Sequence, residues 1–240
     1  MVQKRIYREL YRGKNLVYFN VKVEQTDLNI AAHSMLLKEA LQLVRKYRKD
    51  IEKYIKRDHG FLSSLTPISC LADAPAIVRQ MCNAAHRAGV GPMAAVAGAI
   101  SEFVGKGLLN FSSEVIVENG GDIFMQSQSD RIAGIYAGDS PLSQKIGLKI
   151  PAEDTPMGIC TSSGKIGHSL SFGKADAVVI LSKDTALADA AATAVGNIVI
   201  SAGDIQKGIN FAKRIEGVLG VVVIVEDKLG AWGDIQLVRL

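Results

Sequence analysis

Residues 114–126 read Glu114-Val115-Ile116-Val117-Glu118-Asn119-Gly120-Gly121-Asp122-Ile123-Phe124-Met125-Gln126. Two β-rich runs flank an Asn-Gly-Gly-Asp tetrapeptide, and that is the chemistry of a tight turn between antiparallel strands. Just upstream the pattern is helical. Two helices of small residues are expected at 75–88 and from 92 to about 106, each opened by a proline and separated by Gly89-Val90-Gly91. The second, Gly91-Pro92-Met93-Ala94-Ala95-Val96-Ala97-Gly98-Ala99-Ile100, carries almost no polar atoms, which suits a buried helix or one whose backbone meets a ligand. Helix, helix, hairpin is therefore the unit read between 75 and 127.

Working outward, the same unit recurs at the other end. A small-residue helix surrounds residues 188–194, a second helix starts at Gly203-Asp204 and runs to about 215, and residues 218–226 are expected to pair across 227–230 with a last strand at 232–240. Between the units lie strands at 131–137, 145–150 and 177–181, and a strand exit at 158–164 made of hydroxyls and glycine. Before them, residues 5–11 and 16–24 alternate about a turn at 12–15, 27–32 reads as a further short strand, and Ser34 is placed as the N-cap of a long amphipathic helix that stops at Asp58-His59-Gly60. The expected class is α+β: duplicated antiparallel sheet units backed by helix pairs, in one domain, 1–240, of two repeats of about 1–127 and 128–240. A ligand pocket is expected where the halves meet.

Composition narrows the function classes. The 240 residues are 48% hydrophobic and 22% charged, with 23 glycines, so a large, tightly packed core is expected. The net charge of +4 is concentrated in residues 1–58, which hold 14 Lys/Arg against 7 Asp/Glu. Most of that excess lies on the outer face of the first hairpin and of the long helix, where i,i+4 pairs with Glu explain it, so nucleic acid is not an expected partner. Cys70, Cys82 and Cys160 have neither disulfide-framework nor zinc spacing, and a reducing cytoplasm is the expected compartment. No apolar run reaches about 18 residues and the first twelve residues mix charged and apolar side chains, so neither a membrane span nor a signal peptide is expected.

Three stretches carry chemistry. In Ala188-Asp189-Ala190-Ala191-Ala192-Thr193-Ala194 the carboxylate and the hydroxyl are four residues apart and lie on one helix face among alanines that expose little side chain. Oxygen donors of this kind suit a hard cation or phosphate-bound magnesium, although a solvated acid beside a packing threonine fits the same two positions. The loop Thr161-Ser162-Ser163-Gly164 can offer N–H groups and hydroxyls to phosphate, or be an ordinary strand exit. Cys160 beside it is either a small buried hydrophobe or a thiol or persulfide carrier.

In this order the motifs resemble those of ApbE-type flavin transferases. Asn119-Gly120-Gly121-Asp122 is similar to their glycine turn, Thr161-Ser162-Ser163-Gly164 to their Thr-Ser-Gly loop, and residues 188–194 to their Ala-Asp-Ala-Leu-Ala-Thr-Ala helix, departing only at Ala191. The match is closer still to an ApbE-related family of archaea and bacteria, carried by residues 91–98 and 160–176, and it spans nearly the whole chain. The resemblance implies a T-fold-like arrangement. It also implies magnesium held by Asp189, Thr193 and the backbone carbonyl of Ala97, FAD at Asn119, Gly120, Gly121, Asp122, Thr161, Ser162, Ser163 and Gly164, and His168 as general base. The implied reaction passes FMN to a threonine hydroxyl of an acceptor protein and releases AMP. The Asp-Pro that follows the histidine in the transferases is absent, and so is the Lys of their Gly-Ile-Ala-Lys-Gly helix. Two alternatives accompany this reading: a sulfur-assimilation protein using Cys160, prompted also by the resembled family's association with sulfur metabolism in methanogens, and a non-catalytic binding or assembly protein with the inherited fold. Sheet edges of this type favour a homodimer.

Overall fold

The computed structural model describes residues 15–164 and 173–240. In chain order its elements are β1 (Val17–Val23), β2 (Thr26–Ala32), α1 (Leu37–Arg57), α2 (His59–Ser63), α3 (Ala76–Ala88), α4 (Val96–Leu108), β3 (Val115–Asn119), β4 (Asp122–Gln126), β5 (Arg131–Gly134), β6 (Ile146–Ile150), β7 (Met157–Ser162), β8 (Ala177–Ser182), α5 (Thr185–Ile198), α6 (Ile205–Ala212), β9 (Val218–Val225), β10 (Lys228–Gly233) and β11 (Gln236–Arg239). Eight strands form one sheet in the order β1-β2-β3-β4-β7-β8-β9-β10, and every neighbouring pair is antiparallel. Four helices intervene between β2 and β3, and two between β8 and β9. Each half of the sheet is thus two hairpins with helices inserted between them, and the halves join where β4 pairs with β7.

The period-2 alternation of the central strands sorts their side chains between two cores. Cys160, Val178, Ile180, Val221 and Val223 face the helices, whereas Ile159, Val179, Leu181, Val222 and Ile224 face the opposite side. That opposite face is covered by a second sheet, β11-β6-β5, which contributes Leu148 and Ile150. Strands buried on both faces read as continuous Val/Ile runs, and this is why 177–181 and 221–225 carry no polar residue.

Three sequence expectations change. Ser34 is exposed and does not cap α1; the cap position is Leu36, which makes no side-chain bond and is buried to 8% exposure, so burial of Leu36 sets the helix start. The β9–β10 turn is Glu226-Asp227, with Glu226 at φ 54° and Val225 opposite Lys228, so residues 228–230 belong to the strand. The last strand is also two strands: the chain turns at Gly233 (φ 102°), and β11 leaves the large sheet to pair with β6. The hairpin observed first is β1–β2, while residues 5–11 lie outside the described residues.

The helix layer is held by one buried acid. Glu102 on α4 accepts from Thr185 N–H at 2.7 Å, from Gln80 Nε2 at 2.9 Å and from Lys106 Nζ at 2.5 Å, tying α3, α4 and the start of α5 together. Next to it, Thr185 Oγ1 is buried and has no hydrogen-bond partner. Leaving a hydroxyl in that state costs about 1–3 kcal/mol. Thr185→Val, which keeps the shape, is expected to raise stability by about 1 kcal/mol in urea unfolding; a loss of stability would mean that the hydroxyl is satisfied.

Candidate functional site

Helix α5 is enclosed on almost every side. Of its 14 residues all are buried except Asp189, Thr193, Asn197 and Ile198. The first three are spaced i, i+4, i+8 and form a single polar stripe along a helix otherwise made of alanine and other small or aliphatic residues. Its N-terminus is capped by Asp184, whose carboxylate accepts from Leu187 N–H at 3.1 Å. Asn197 belongs to the stripe but not to the sequence motif, since only the packing of α5 reveals which of its faces stays open.

Asp189 reaches across to α4. Its Oδ2 accepts from Gly98 N–H at 2.9 Å, and Ala97 N–H is a second donor to the carboxylate. Helix α4 has no side-chain cap of its own, so Asp189 satisfies its first-turn amides from another helix and meets the positive end of its dipole. The approach requires a glycine: a Cβ at Gly98 would lie 2.4 Å from Thr185 O and 2.8 Å from Asp189 Cβ. The Ala97 carbonyl accepts from Ser101 Oγ at 2.9 Å and from Asn119 Nδ2 at 3.2 Å, so Asn119 of the glycine turn is fastened to the α4 residue next to Gly98.

The turn between β3 and β4 closes as the Asn-Gly-Gly-Asp sequence indicated. Asn119 pairs with Asp122, and Gly120 and Gly121 both take positive φ, 71° and 111°. Asp122 sits opposite Cys160 across the β4–β7 seam. Its carboxylate lies beside the Cys160 thiol and Thr161, and Ser101 Oγ, 2.9 Å from both the Asp122 and Ala97 carbonyl oxygens, shares its one proton between them. The turn, the seam and the α4–α5 crossing therefore bring Ala97, Asn119, Gly121, Asp122, Thr161 and Asp189 together. Residues 161–164 continue to the far end of α5. There Gly164 N–H donates to Ala175 O, and Gly173, which Gly164 touches, packs on the carbonyl of Gly196. His168 lies outside the described residues.

Three of the backbone amides around the loop are engaged within the fold. Gly121 N–H donates to Glu118 Oε1 at 2.9 Å, Thr161 N–H to Gly121 O at 3.2 Å, and Gly164 N–H to Ala175 O at 3.0 Å. What the loop presents instead is the half-buried side chains of Thr161, Ser162 and Ser163. Glu118, Ser101 and Asn197 are the residues that the sequence motifs missed. Cys160 is fully buried and donates to Thr185 O at 3.4 Å. Burial first, then the charges of Asp122 and Asp189, push its thiol well above the usual value, the environment of a small buried hydrophobe.

The carboxyl groups of Asp122 and Asp189 lie close enough to act on each other. Burial, then Asp189 and Glu118, push Asp122 well above the usual carboxylate range; burial raises Asp189 to about 7 against the two N–H bonds. Both groups hold protons more tightly folded than unfolded, so the contribution of each is complete below about pH 4, and that of Asp189 is lost as pH rises through about 7. In magnesium-free buffer the Asp189→Asn protein is therefore expected to lose less stability than the wild type between about pH 5 and 8 in urea titrations. Parallel pH curves for the two proteins would contradict this assignment.

Residues 8–231 match the family described as "AbpE bacteria". The chain belongs to this family. It is 41% identical over 220 residues to a "UPF0280 protein" of Methanocella arvoryzae, covering 91% of this chain and 89% of that one, and 40% identical to a Methanococcus aeolicus protein of the same name, covering 93% of each. Among solved structures, a variant of the flavin transferase ApbE from Vibrio cholerae superposes with a TM-score of 0.57 at 12% identity, covering 90% of this chain and 96% of that chain. The apo flavinyl transferase ApbE from Pseudomonas stutzeri gives 0.57 at 14%, covering 90% and 93%. At these identities the likeness shows the fold: the AbpE-family chain has the α+β, T-fold-like architecture of the flavin transferases. Among the described residues no single helix is long and apolar enough to cross a membrane, and α3 and α4, apolar together, are bent by 106° at the intervening break.

Proposed function

We propose that the chain binds FAD, or a nucleotide of like chemistry, together with magnesium along the stripe of Asp189, Thr193 and Asn197. In the reaction proposed, a hydroxyl of an acceptor protein attacks the FMN phosphorus, the pyrophosphate bond breaks, and AMP leaves with the bridging oxygen. The observation that carries this reading is a single oxygen-bearing stripe on an otherwise buried helix, with its first residue, Asp189, beside Asp122 of the glycine turn, in a fold shared with flavin transferases.

The residues fit a hard divalent cation. All the proposed donors are oxygens, namely the Asp189 carboxylate, the Thr193 hydroxyl and the Ala97 carbonyl, the donor class that a hard divalent cation takes. Magnesium, when bound, neutralises pyrophosphate charge and polarises the phosphoryl group. The chain's own residues do the rest. Ser162 and Ser163 donate hydroxyl hydrogen bonds to phosphate oxygens, while Thr161, opposite Val179, lies on the other face of the sheet at the loop's start. Gly120 and Gly121 leave room for backbone approach, Gly164 anchors the end of the hydroxyl loop, and Asn119 orients Ala97. The base that takes the acceptor's proton is assigned to His168 on sequence grounds alone. The same reading takes residues 1–240 as one domain of two repeats, 1–127 and 128–240, a cytoplasmic homodimer.

One observation favours a binding role without transfer: the Ala97 carbonyl already accepts from Asn119 Nδ2 and shares the Ser101 hydroxyl proton with Asp122 O. Both readings are tested by titrating FAD into the protein with and without magnesium while following AMP by chromatography. Magnesium-dependent binding with AMP release on adding acceptor hydroxyls supports transfer; binding without AMP selects the binding role; absence of binding refutes both.

A further inference from the structure

Helix α3 turns Arg79, Asn83, His86 and Arg87 away from the core, at i, i+4, i+7 and i+8, and all four are exposed. The helix contains no acidic residue. Together with Ala76, Gln80 and Asp184, the cap of α5, this face lines a cavity of about 580 Å³, a volume in the range of small-molecule sites. A helix C-terminus favours cations, which accounts for His86 and Arg87 in the last turn. Arg79 has no such reason to be there. It lies in the first turn, where the helix dipole disfavours a cation, and among the described residues no carboxylate pairs with it. Its Nη1 donates to Ala74 O, which holds the guanidinium in place and leaves its other N–H groups for the cavity. The same turn has no side-chain cap, since its cap position is Pro75.

Toward Arg87 the lining changes character. Asp184 Oδ1 accepts from Gln80 Nε2 at 2.8 Å and from Leu187 N–H at 3.1 Å, and its Oδ2 stands 4.0 Å from Arg87 Nη1. Arg87 Nη2 donates to Glu216 O. The cavity is therefore cationic beside Arg79 and carries both donors and acceptors beside Asp184.

We propose that this cavity binds a small phosphorylated sugar or polyol, with its phosphate against Arg79 and the first turn of α3 and its hydroxyls against Asn83, Arg87 and Asp184. A phosphate monoester carries nearly two negative charges near pH 7, and its oxygens accept in pairs from a guanidinium fork. The double charge matters because Asp184 stands on the same wall and repels any anion, so a single carboxylate gains less from the arginines. Hydroxyls both donate and accept, which suits Asp184 Oδ2 and the Asn83 amide, where a second phosphate would meet the Asp184 charge. Asp189, Thr193 and Asn197 do not line this cavity, so it is a site apart from the α5 stripe and needs no magnesium.

The test is calorimetric titration of ribose 5-phosphate, inorganic phosphate and ribose into the full chain in chelator, which silences any site that acts through magnesium. The ester is expected to bind at one site, at least about tenfold more tightly than inorganic phosphate, with ribose giving only heat of dilution. Arg79→Gln is expected to weaken both phosphates about tenfold, and Asn83→Ala to weaken the ester alone. Arg79→Lys, which keeps the charge without the fork, is expected to fall between wild type and Arg79→Gln. Both positions are exposed, and unchanged melting temperatures show that the variants are folded. Heat of dilution alone from both phosphates, an ester held no more tightly than inorganic phosphate, or an affinity for the ester unchanged by Arg79→Gln overturns the proposal.

Discussion

The Asp189→Asn protein is expected to lose the magnesium dependence of FAD binding, with the affinity measured in magnesium falling about 100-fold, or about 2.7 kcal/mol. Asparagine keeps the shape of aspartate and one acceptor oxygen, so the Gly98 N–H that Asp189 now receives at 2.9 Å can still be satisfied. The helix α4 cap survives and the fold with it. What disappears is the negative charge that a hard cation requires on this stripe. A change to alanine would confuse two effects, because it also strips α4 of its borrowed cap, typically about 1 kcal/mol. Binding that remains as tight and as magnesium-dependent in the asparagine variant would reduce Asp189 to a capping residue.

Gly98→Ala is expected to destabilise the protein by about 3 kcal/mol, lowering the melting temperature by about 6–12 °C. Local propensity argues the other way, since alanine in a helix is favoured over glycine by about 1 kcal/mol. The difference in sign makes the experiment decisive. The added carbon would stand 2.4 Å from the Thr185 carbonyl oxygen, an atom of the α5 backbone, so no rotamer change relieves the clash and the two helices must move apart. Such a movement also separates Asp189 from its donors on α4, so magnesium-dependent binding should weaken together with stability. Equal or higher stability in urea unfolding would show that the α4–α5 approach is looser than described.

What could be read from the sequence was local in origin. The hairpin at 119–122 announces itself because two residues in succession need positive φ and both are glycines. The small-residue helices and the doubly buried strands follow from composition and period alone. The exchange of sheets at Gly233 left no such trace, because alternation continues across residues 232–240 and the destination, β6, is a distant partner. Helix α1 starts where Leu36 enters the core, a tertiary fact that outweighs the capping preference of Ser34. In the candidate site, Asp189, Thr193 and the glycine turn were legible as motifs, whereas the cap that Asp189 provides to α4 depends on how two helices cross. Asn197 joined the stripe only when the covered faces of α5 were known. The same holds for the backbone amides of residues 121, 161 and 164, which are taken by Glu118 Oε1, Gly121 O and Ala175 O, partners that only the fold brings near.

The central claim, that the stripe on α5 holds a nucleotide through magnesium, is tested most directly by calorimetric titration of FAD into the wild-type protein at fixed pH, with magnesium and with a chelator. One-to-one binding that magnesium strengthens at least about tenfold, or about 1.4 kcal/mol of coupling, is the predicted result. Heat of dilution alone, or an affinity the same in magnesium and in chelator, would contradict it.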